Sequence, residues 1–290
     1  MNSPKVCVVT GANSGIGRAT ALHLAKAGFE VYGTMRSLER GQKLRDAAAD
    51  MNLKVNEIEL DVTQDESVRN GFDEILSRTR HIDILVNNAG IGSNAVIEDV
   101  TLPDDKLVFE TNFWGVVRCT QAVLPVMREN GSGHIVQISS IAGRVGLPGQ
   151  PIYSASKWAM EGLSENLAHD LAAFGIRVSL VEPGVTRTAI LGKNNTVPDN
   201  PVYANTYLRM MDMYAAGIEA NVRPEAVAET ILECLNAPAG QLRWPVAWGA
   251  SEMVNARNDG TVSDADWVEL GKHVSSQGDW VHRFKELFNL

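Results

Sequence analysis

The chain has 290 residues, 44% of them hydrophobic and 21% charged, which suits one large α/β domain with a substantial buried core. Its formal net charge of −9 disfavours a nucleic-acid partner, because binding to phosphates requires clustered cations. The three scattered cysteines and six dispersed histidines give no disulfide framework and no zinc-binding spacing, so we expect no metal site. We find no signal peptide and no run of roughly 20 apolar residues, which predicts a soluble, cytoplasmic protein without a membrane span.

Apolar segments typical of buried strands alternate with segments of helical periodicity. Predicted strands lie near Val6–Thr10, Val31–Met35, Val55–Leu60, Ile82–Asn87, Ile135–Ser139, Val178–Glu182 and Leu242–Val246. Predicted helices lie near Ile16–Ala27, Leu38–Asp50, Gln64–Arg78, Pro103–Asn130, Ile152–Phe174 and Pro224–Asn236. Continuous Val/Ile-rich strands alternating with helices favour a parallel sheet covered on both faces. We therefore predict a single-domain, doubly wound Rossmann fold with a seven-stranded, mainly parallel sheet and ligands beyond the carboxyl ends of its strands.

Three local signals mark helix starts. Thr63 precedes Glu66 at the spacing of a capping box, and Pro224 suits the first turn of a helix. Ser263 with Asp266 indicates a further helix start in the acidic, Trp-containing C-terminal segment. Residues 184–222 interrupt the alternation of strands and helices.

A glycine-spaced turn, TGANSGIG at residues 10–17, follows the first strand and opens the first helix. Gly11 permits a tight turn, Gly15 lets the backbone approach a ligand, and Gly17 lets the helix pack on the strand. The free N–H groups at the start of the helix then face an anion such as a pyrophosphate. The residues predicted to form this anion site are Gly11, Asn13, Ser14, Gly15, Ile16 and Gly17.

The segment YSASK places a phenol and an ammonium, Tyr153 and Lys157, on one face of a helix. A tyrosine normally keeps its proton to about pH 10, and an opposite charge at 4–6 Å lowers a pKa by about one to three units. The spacing therefore predicts that Lys157 supplies much of the lowering that the pKa of Tyr153 needs for acid–base work, with a bound cationic ligand supplying the remainder. The alternative reading is that YSASK only begins an amphipathic helix.

Six features occur in one order along the chain: TGANSGIG at 10–17, NNAG at 87–90, Asn112, Ser140, YSASK at 153–157 and PGVTRT at 183–188. With this order and spacing, residues 5 to about 246 resemble the short-chain dehydrogenase/reductase family, and most closely its hydroxysteroid- and retinol-dehydrogenase-like branch. The resemblance implies an oxidoreductase that interconverts a secondary alcohol and a ketone or aldehyde with a nicotinamide dinucleotide.

The resemblance also implies four catalytic residues. Tyr153 would protonate the substrate oxygen, Ser140 would donate a hydrogen bond to it, and Lys157 would hold the nicotinamide ribose. Asn112 would bend its helix and hold a water that links Lys157 to solvent. Ser139 competes with Ser140 for its role, and an ordinary buried asparagine is the alternative reading of Asn112.

The end of the second predicted strand bears on the choice of cofactor. Relatives that use NAD have an acidic residue at about Met35, whereas this chain has Met35 followed by Arg36, whose guanidinium can meet a 2′-phosphate bidentately. Ser37 and Arg40 can add a donor and a second cation. The resemblance thus implies NADP(H), with NAD(H) still possible, because Ser14 stands where many NADP-preferring relatives have a basic residue. A solvated surface role is the alternative for Arg36.

Further cofactor contacts are implied near the adenine, the adenosine ribose and the nicotinamide. Asp61 and Val62 would lie near the adenine, and Asn88, Ala89 and Gly90 near the adenosine ribose. The residues implied near the nicotinamide are Pro183, Gly184, Val185 and Thr188. We expect residues 1–250 to form the dinucleotide-binding and catalytic domain, with a substrate loop at about 184–222. Residues 251–290 would form a helical tail packed on the same domain.

Three segments make up the candidate substrate pocket: Ile91-Gly92, Arg144 to Pro148, and Ile190 to Met213, with Arg187 and Lys193 nearby. Its methionines and aromatics favour a lipophilic substrate, steroid-like, retinoid-like or aromatic. These apolar residues are Tyr203, Tyr207, Leu208, Met210, Met211, Met213 and Tyr214. Helix core or a subunit contact is the alternative reading.

Trp114 and Trp158 fall on the two long helices through which family members pair, which implies a homodimer or homotetramer. The sequon Asn194-Asn195-Thr196 is incidental in a cytosolic chain. Two rival functions stay open: a sensor that binds NADP(H) without catalysis, and epimerisation or dehydration of nucleotide sugars.

Overall fold

The computed structural model describes residues 3–188, 197–272 and 278–290. Its strands are β1 (Val6–Val9), β2 (Glu30–Met35), β3 (Val55–Glu59), β4 (Ile84–Asn87), β5 (Gly133–Ile138), β6 (Ile176–Pro183) and β7 (Arg243–Val246). They form one seven-stranded sheet in the order β3-β2-β1-β4-β5-β6-β7, and every neighbouring pair is parallel. The predicted doubly wound α/β fold is confirmed.

Helices connect the strands and continue beyond the last one. They are α1 (Gly15–Lys26), α2 (Gln42–Asp50), α3 (Asp65–Thr79), α4 (Leu102–Phe109), α5 (Gly115–Glu129), α6 (Pro151–Leu171), α7 (Ala204–Glu219), α8 (Pro224–Asn236), α9 (Ala250–Asn258), α10 (Asp264–Lys272) and α11 (Asp279–Phe288). The predicted helix Pro103–Asn130 is not one regular helix, because a π-helical turn, Glu110–Trp114, separates α4 from α5. A π turn adds a residue to the helical ring and so rotates the side chains that follow it.

Apolar side chains cover both faces of the sheet, as the runs of Val and Ile require. On one face Phe72 of α3 and Val123 of α5 pack with Leu85 and other strand residues. On the opposite face Leu24 of α1 and Val227 of α8 form a second cluster. The sheet is therefore buried between two layers of helices. The carboxyl ends of its strands are left for the loops that build the site.

The local signals have mixed outcomes. The capping box at Thr63 is wrong: Thr63 Oγ1 donates to Asp61 Oδ1 at 2.8 Å, and α3 starts at Asp65. Pro224 begins α8, as predicted. Ser263 immediately precedes α10 and exchanges hydrogen bonds with Asp266 in its first turn, so this predicted helix start is also confirmed. His134 is buried in β5, where its Nε2 lies 3.0 Å from Ser179 Oγ.

The C-terminal helices pack on the body of the protein near one of the predicted site residues. Trp280, Phe284 and Phe288 form a cluster with Ile141 and Val145, which follow Ser140. No helix within the described ranges is long and apolar enough to cross a membrane. The sequon at 194–196, together with Ile190 and Lys193, lies outside the described residues.

Candidate active site

The glycine-spaced turn lies at the carboxyl end of β1 and leads into α1. Gly11 and Gly15 have φ values of +67° and +55°, which glycine adopts without steric cost. A Cβ at Gly17 would overlap Asn88 Nδ2 and the carbonyl oxygen of Gly11. The N–H groups of the first turn of α1 and the adjacent backbone line a cavity, as an anion cradle requires.

Thr10 joins this turn to the loop after β4, a role that the sequence analysis missed. Its Oγ1 accepts from the N–H groups of Asn88 at 2.9 Å and Ala89 at 3.0 Å. Asn88 Nδ2 in turn donates to the Thr10 carbonyl at 2.8 Å. Two loops 78 residues apart are thus joined into one floor of the cavity, and in the sequence only the polar Thr10 at the end of an apolar strand hints at it.

The residues predicted to choose the cofactor lie at the far end of the same cavity. Met35, Arg36 and Arg40 line it, and Arg36 is exposed there. Ser37 is not among the lining residues and precedes the short helical turn Leu38–Gly41 instead. Asp61 lines the cavity beside Val62, with its Oδ1 accepting from the N–H of Thr63 at 3.0 Å.

Asn112 lies within the π turn and is fully buried. Its Oδ1 accepts from the Ile91 N–H at 2.9 Å, while Nδ2 donates to the Ile91 carbonyl at 2.9 Å and to Ser156 Oγ at 3.1 Å. The π turn interrupts the regular helix at Asn112, and the predicted bend of the helix stays a prediction. The side chain itself fixes the loop after β4 against α6, and its link to a water stays a prediction.

Ser140, Tyr153 and Lys157 meet where β5 ends beside α6. Ser140 lies close enough to the Tyr153 phenol to affect its pKa, and Lys157 Nζ donates to the Ile138 carbonyl at 2.7 Å and lies 5.9 Å from the centre of the Tyr153 ring. Ser140, rather than Ser139, faces the phenol. Ser139 Oγ lies on the other side, near Gly143, where an added Cβ would be 2.8 Å away.

The electrostatics of this group differ from the prediction. Burial raises the pKa of Tyr153, and the hydrogen bond with Ser140 opposes the rise; Lys157 makes no resolved contribution. Burial also lowers the pKa of Lys157 to about 8, against the attraction of the Glu161 carboxylate. Lys157 therefore gives up its proton more readily than an exposed lysine, because desolvation disfavours its charged form.

Most predicted contacts come together around one cavity. Its lining includes Gly11, Asn13, Ser14, Gly15, Ile16, Asn88, Ala89, Gly90, Pro183, Gly184, Val185 and Thr188, besides the residues already named. Gly17 and Asn112 support it from behind. The described residues contain no group of three or more His, Cys, Asp or Glu side chains arranged to hold a metal ion.

The substrate side of the cavity is only partly as predicted. Ile91, Gly92, Leu147, Met213 and Tyr214 line it. The other apolar residues predicted for the pocket do not line the cavity. Tyr207 and Met210 are buried against Val96, and Leu208 faces solvent. Arg144 points elsewhere and lies 4.0 Å from Glu182, while Arg187 donates to Asn221.

A polar group absent from the sequence analysis lies at this end. Gln150 Nε2 donates to the Tyr214 hydroxyl at 2.5 Å and to Asn94 Oδ1 at 3.1 Å. Gln150 and Tyr214 both line the cavity with Tyr153, and burial raises the pKa of Tyr214. No local pattern marks this group, since its members come from three separate segments.

The sequence profile described as short chain dehydrogenase matches residues 5–198. A 3-ketodihydrosphingosine reductase of Bacteroides thetaiotaomicron is 39% identical over 211 residues, covering 72% of this chain and 75% of that protein. The 17-beta-hydroxysteroid dehydrogenase type 1 of Homo sapiens is 35% identical over 252 residues, covering 82% of this chain and 76% of that protein.

Solved structures agree with the sequence matches. A short-chain dehydrogenase from Streptomyces avermitilis superimposes with a TM-score of 0.81 at 34% identity, covering 95% of this chain and all of that one (100%). An alcohol dehydrogenase from Thermococcus sibiricus, complexed with 5-hydroxy-NADP, gives a TM-score of 0.68 at 26% identity, covering 83% of this chain and 94% of that one. The profile, the relatives and the fold lead to one conclusion: this chain belongs to the short-chain dehydrogenase family of oxidoreductases.

Proposed function

We propose that the protein is an NADP(H)-dependent oxidoreductase that interconverts a lipophilic secondary alcohol and its ketone or aldehyde. The observation that carries the proposal is the single cavity bounded by a glycine cradle and Arg36 at one end and by Ser140, Tyr153 and Lys157 at the other. Membership of the short-chain dehydrogenase family supports chemistry on CH–OH groups.

The residues present fit a phosphorylated dinucleotide. The first turn of α1 would bind the pyrophosphate, and Arg36 with Arg40 would bind a 2′-phosphate. Lys157 would hold the nicotinamide ribose, and Thr188 lies near Gly15, where it can reach a phosphate or the carboxamide. The cofactor, when bound, supplies or accepts the hydride. A relative of known structure in complex with an NADP derivative supports this choice.

The chain's own residues would handle the substrate oxygen and its proton. Ser140 donates a hydrogen bond that fixes the oxygen, and Tyr153 gives its phenolic proton to the same oxygen during reduction. We infer that Lys157, together with the cationic nicotinamide when it is bound, favours the phenolate that remains, because a positive charge close to a phenol stabilises its ionised form. In the oxidative direction the same groups work in reverse.

A lipophilic substrate is supported by the wall opposite Tyr153. Leu147, Met213 and Val185 give this end of the cavity an apolar surface, with Gln150 and Tyr214 as polar points on it. Two of the relatives are named for a long-chain sphingoid ketone and a hydroxysteroid. We infer the same class of substrate here.

The test is a set of lipophilic ketones and a matched set of small hydrophilic ones, with NADPH or NADH consumption followed by absorbance. We expect turnover with the lipophilic set and a kcat/KM ratio for NADPH over NADH above one. Arg36→Ala should lower that ratio, while Arg18→Ala, a basic residue outside the cavity lining, should leave it unchanged.

Two outcomes would overturn the proposal. A ratio below one for the wild-type protein would reject the cofactor assignment. Tight NADPH binding without consumption across both sets would instead favour the non-catalytic sensor.

A further inference from the structure

Two acidic side chains are buried behind the candidate active site and are not among the residues that line its cavity. Glu182, near the end of β6, is 0% exposed, and Glu161, on α6, is 4% exposed. Glu161 follows Lys157 by one helical turn, so the two share a helix face. The proposed reaction assigns neither carboxyl group a role.

Two arginines face the pair from neighbouring elements. Arg243 of β7 places Nε 3.0 Å from Glu161 Oε2 and 3.3 Å from Glu182 Oε1. Arg144, in the segment after Ser140, lies 4.0 Å from Glu182 Oε1. Arg243 is also shared with the exposed Glu165, at 2.7 Å. With Lys157 nearby, these are the charged groups that surround the pair.

The hydrogen bonds around the pair are incomplete if both groups are ionised. Among the residues that the structure describes, no hydrogen-bond donor reaches Glu161 Oε1, Glu182 Oε1 or Glu182 Oε2. Burial raises the pKa of Glu161, and the nearby Ser139 hydroxyl and Arg243 oppose the rise, although Ser139 Oγ makes no hydrogen bond of normal geometry. A buried carboxylate oxygen without a donor is strongly destabilising.

One proton reduces this shortage. Placed on Glu182, it turns one Glu182 oxygen into a donor toward Glu161 and leaves the other as a neutral carbonyl oxygen, so the pair carries a single negative charge beside Arg243. The two carboxyl groups are near enough to hydrogen bond with each other. Two carboxylates that share a site do not both ionise readily, so one keeps its proton to unusually high pH.

We propose that Glu161 and Glu182 share one proton, held on Glu182, and that the resulting single charge on Glu161 positions Lys157 and keeps it charged. The second half of this proposal rests on the proposed function, because it concerns a residue of that site. Glu161 and Glu182 are positioning residues, since neither touches the cavity.

Independent features of the structure support this arrangement. Burial, and then repulsion from Glu161, raise the pKa of Glu182 to about 7. The attraction of Glu161 raises the pKa of Lys157 against the opposite effect of burial. The pair also joins three parts of the site: α6 with Tyr153 and Lys157, β6 leading to Pro183, and the segment after Ser140 that holds Arg144.

The first experiment compares the unfolding of wild-type protein with that of Glu182→Gln across pH. The folded protein keeps the proton to about pH 7, whereas an unfolded chain releases it near about pH 4.3. Wild type therefore loses stability as pH rises between these values, and Gln does not titrate. We expect the unfolding constant of wild type to rise relative to Glu182→Gln by up to about tenfold per pH unit between about pH 5 and pH 7.

Glu165→Gln is the matched control, because Glu165 binds the same Arg243 but is exposed. Its difference from wild type should stay flat over that range. A flat difference for Glu182→Gln, with wild type the more stable throughout, would mean that Glu182 is an ordinary ionised partner of Arg243 and would overturn the proposal.

A second measurement can be made on the wild-type protein alone. Its infrared difference spectra should show the C=O stretch of a protonated buried carboxyl group that disappears as pH rises past about 7. Absence of this band in the wild-type protein at about pH 6 would also refute the shared proton.

The positioning of Lys157 is tested through NADPH binding, measured by fluorescence. Glu161→Gln/Glu182→Gln, which removes the charge, should move the loss of affinity to lower pH, whereas Glu182→Gln alone should not. Equal profiles would reject the positioning role while leaving the shared proton intact. Failure of the proposed function would appear separately, as no NADPH binding by any form.

Discussion

At the scale of single residues, Lys157 is the group on which the electrostatics of the site depend. It is buried, it donates to the Ile138 carbonyl at 2.7 Å, and it lies on the same helix face as Tyr153 and Glu161. Burial lowers its pKa to about 8, so its charge is lost within an accessible pH range. The proposed contact with the cofactor requires that charge.

We expect the dissociation constant of NADPH to rise as pH increases from about 7 to about 9. In the free protein Lys157 loses its proton near pH 8, whereas in the complex with NADPH it should keep that proton to higher pH. The affinity for NADPH therefore falls by up to about tenfold per pH unit. Titration by fluorescence measures the effect. Lys157→Met should bind more weakly and show no such slope; an equal slope in the variant would contradict the role of Lys157.

Contacts between residues close in sequence could be predicted, because their spacing alone determines which of them share a helix face. Tyr153 and Lys157 are the example. Tyr214 was predicted as a pocket residue, but its hydrogen bond with Gln150 was not, since the two residues are 64 positions apart and no local pattern marks Gln150. The same holds for Glu161 and Arg243, which are 82 residues apart. Burial raises the pKa of Tyr153, so the lowering expected from Lys157 and a bound nicotinamide stays a prediction for the complex with cofactor.

At the scale of elements, the glycines show which helices are pressed against their neighbours. Gly115, at the start of α5, faces Val62, where a Cβ would lie 2.8 Å from Val62 Cγ2. Gly162 lies in α6 with open space around the position of a Cβ. The two positions therefore separate close packing from the intrinsic helix propensity of glycine.

Gly162→Ala should stabilise the protein by about 0.5–1 kcal/mol, because alanine loses less conformational entropy in a helix. Gly115→Ala should destabilise it by roughly 1–3 kcal/mol, since the added methyl group overpacks the contact with Val62. Urea denaturation monitored by circular dichroism measures both. Similar shifts of the same sign would show that the contact at Gly115 does not constrain α5.

Element boundaries were predicted well where alternating apolar patterns are strong and poorly where tertiary contacts decide. The π turn at Glu110–Trp114 interrupts a continuous helical pattern, and it accompanies the hydrogen bonds of Asn112 with Ile91 rather than any local breaker. Thr63 likewise bonds to Asp61 instead of capping α3, because the loop after β3 brings that carboxylate closer.

At the scale of the whole molecule, the parallel sheet and its two helical layers followed from the alternation of segments. A helical C-terminal tail and its helix start at Ser263 were also predicted, but the contacts that hold the tail were not, because they depend on distant partners such as Ile141. Two large aromatics, Trp114 and Trp158, are 49% and 54% exposed on the surface of the π turn and α6. Such exposure favours burial against another copy of the chain.

We expect the protein to be a homodimer or homotetramer that uses this surface. Trp114→Lys and Trp158→Lys should each lower the mass found by light scattering after size-exclusion chromatography, because a buried charge without a partner disfavours association. Val268→Lys, at a similarly exposed apolar residue on α10, is the control and should not change the mass. A monomeric wild-type protein would contradict this prediction.

The most direct test of the central claim is the activity of Tyr153→Phe, measured as NADPH consumption with a ketone that the wild-type protein reduces, alongside the dissociation constant of NADPH. The phenol is proposed to transfer the proton, so we expect kcat to fall by about 10²-fold or more while cofactor affinity stays within a few-fold of wild type. Turnover close to that of wild type, with NADPH bound normally, would contradict the account.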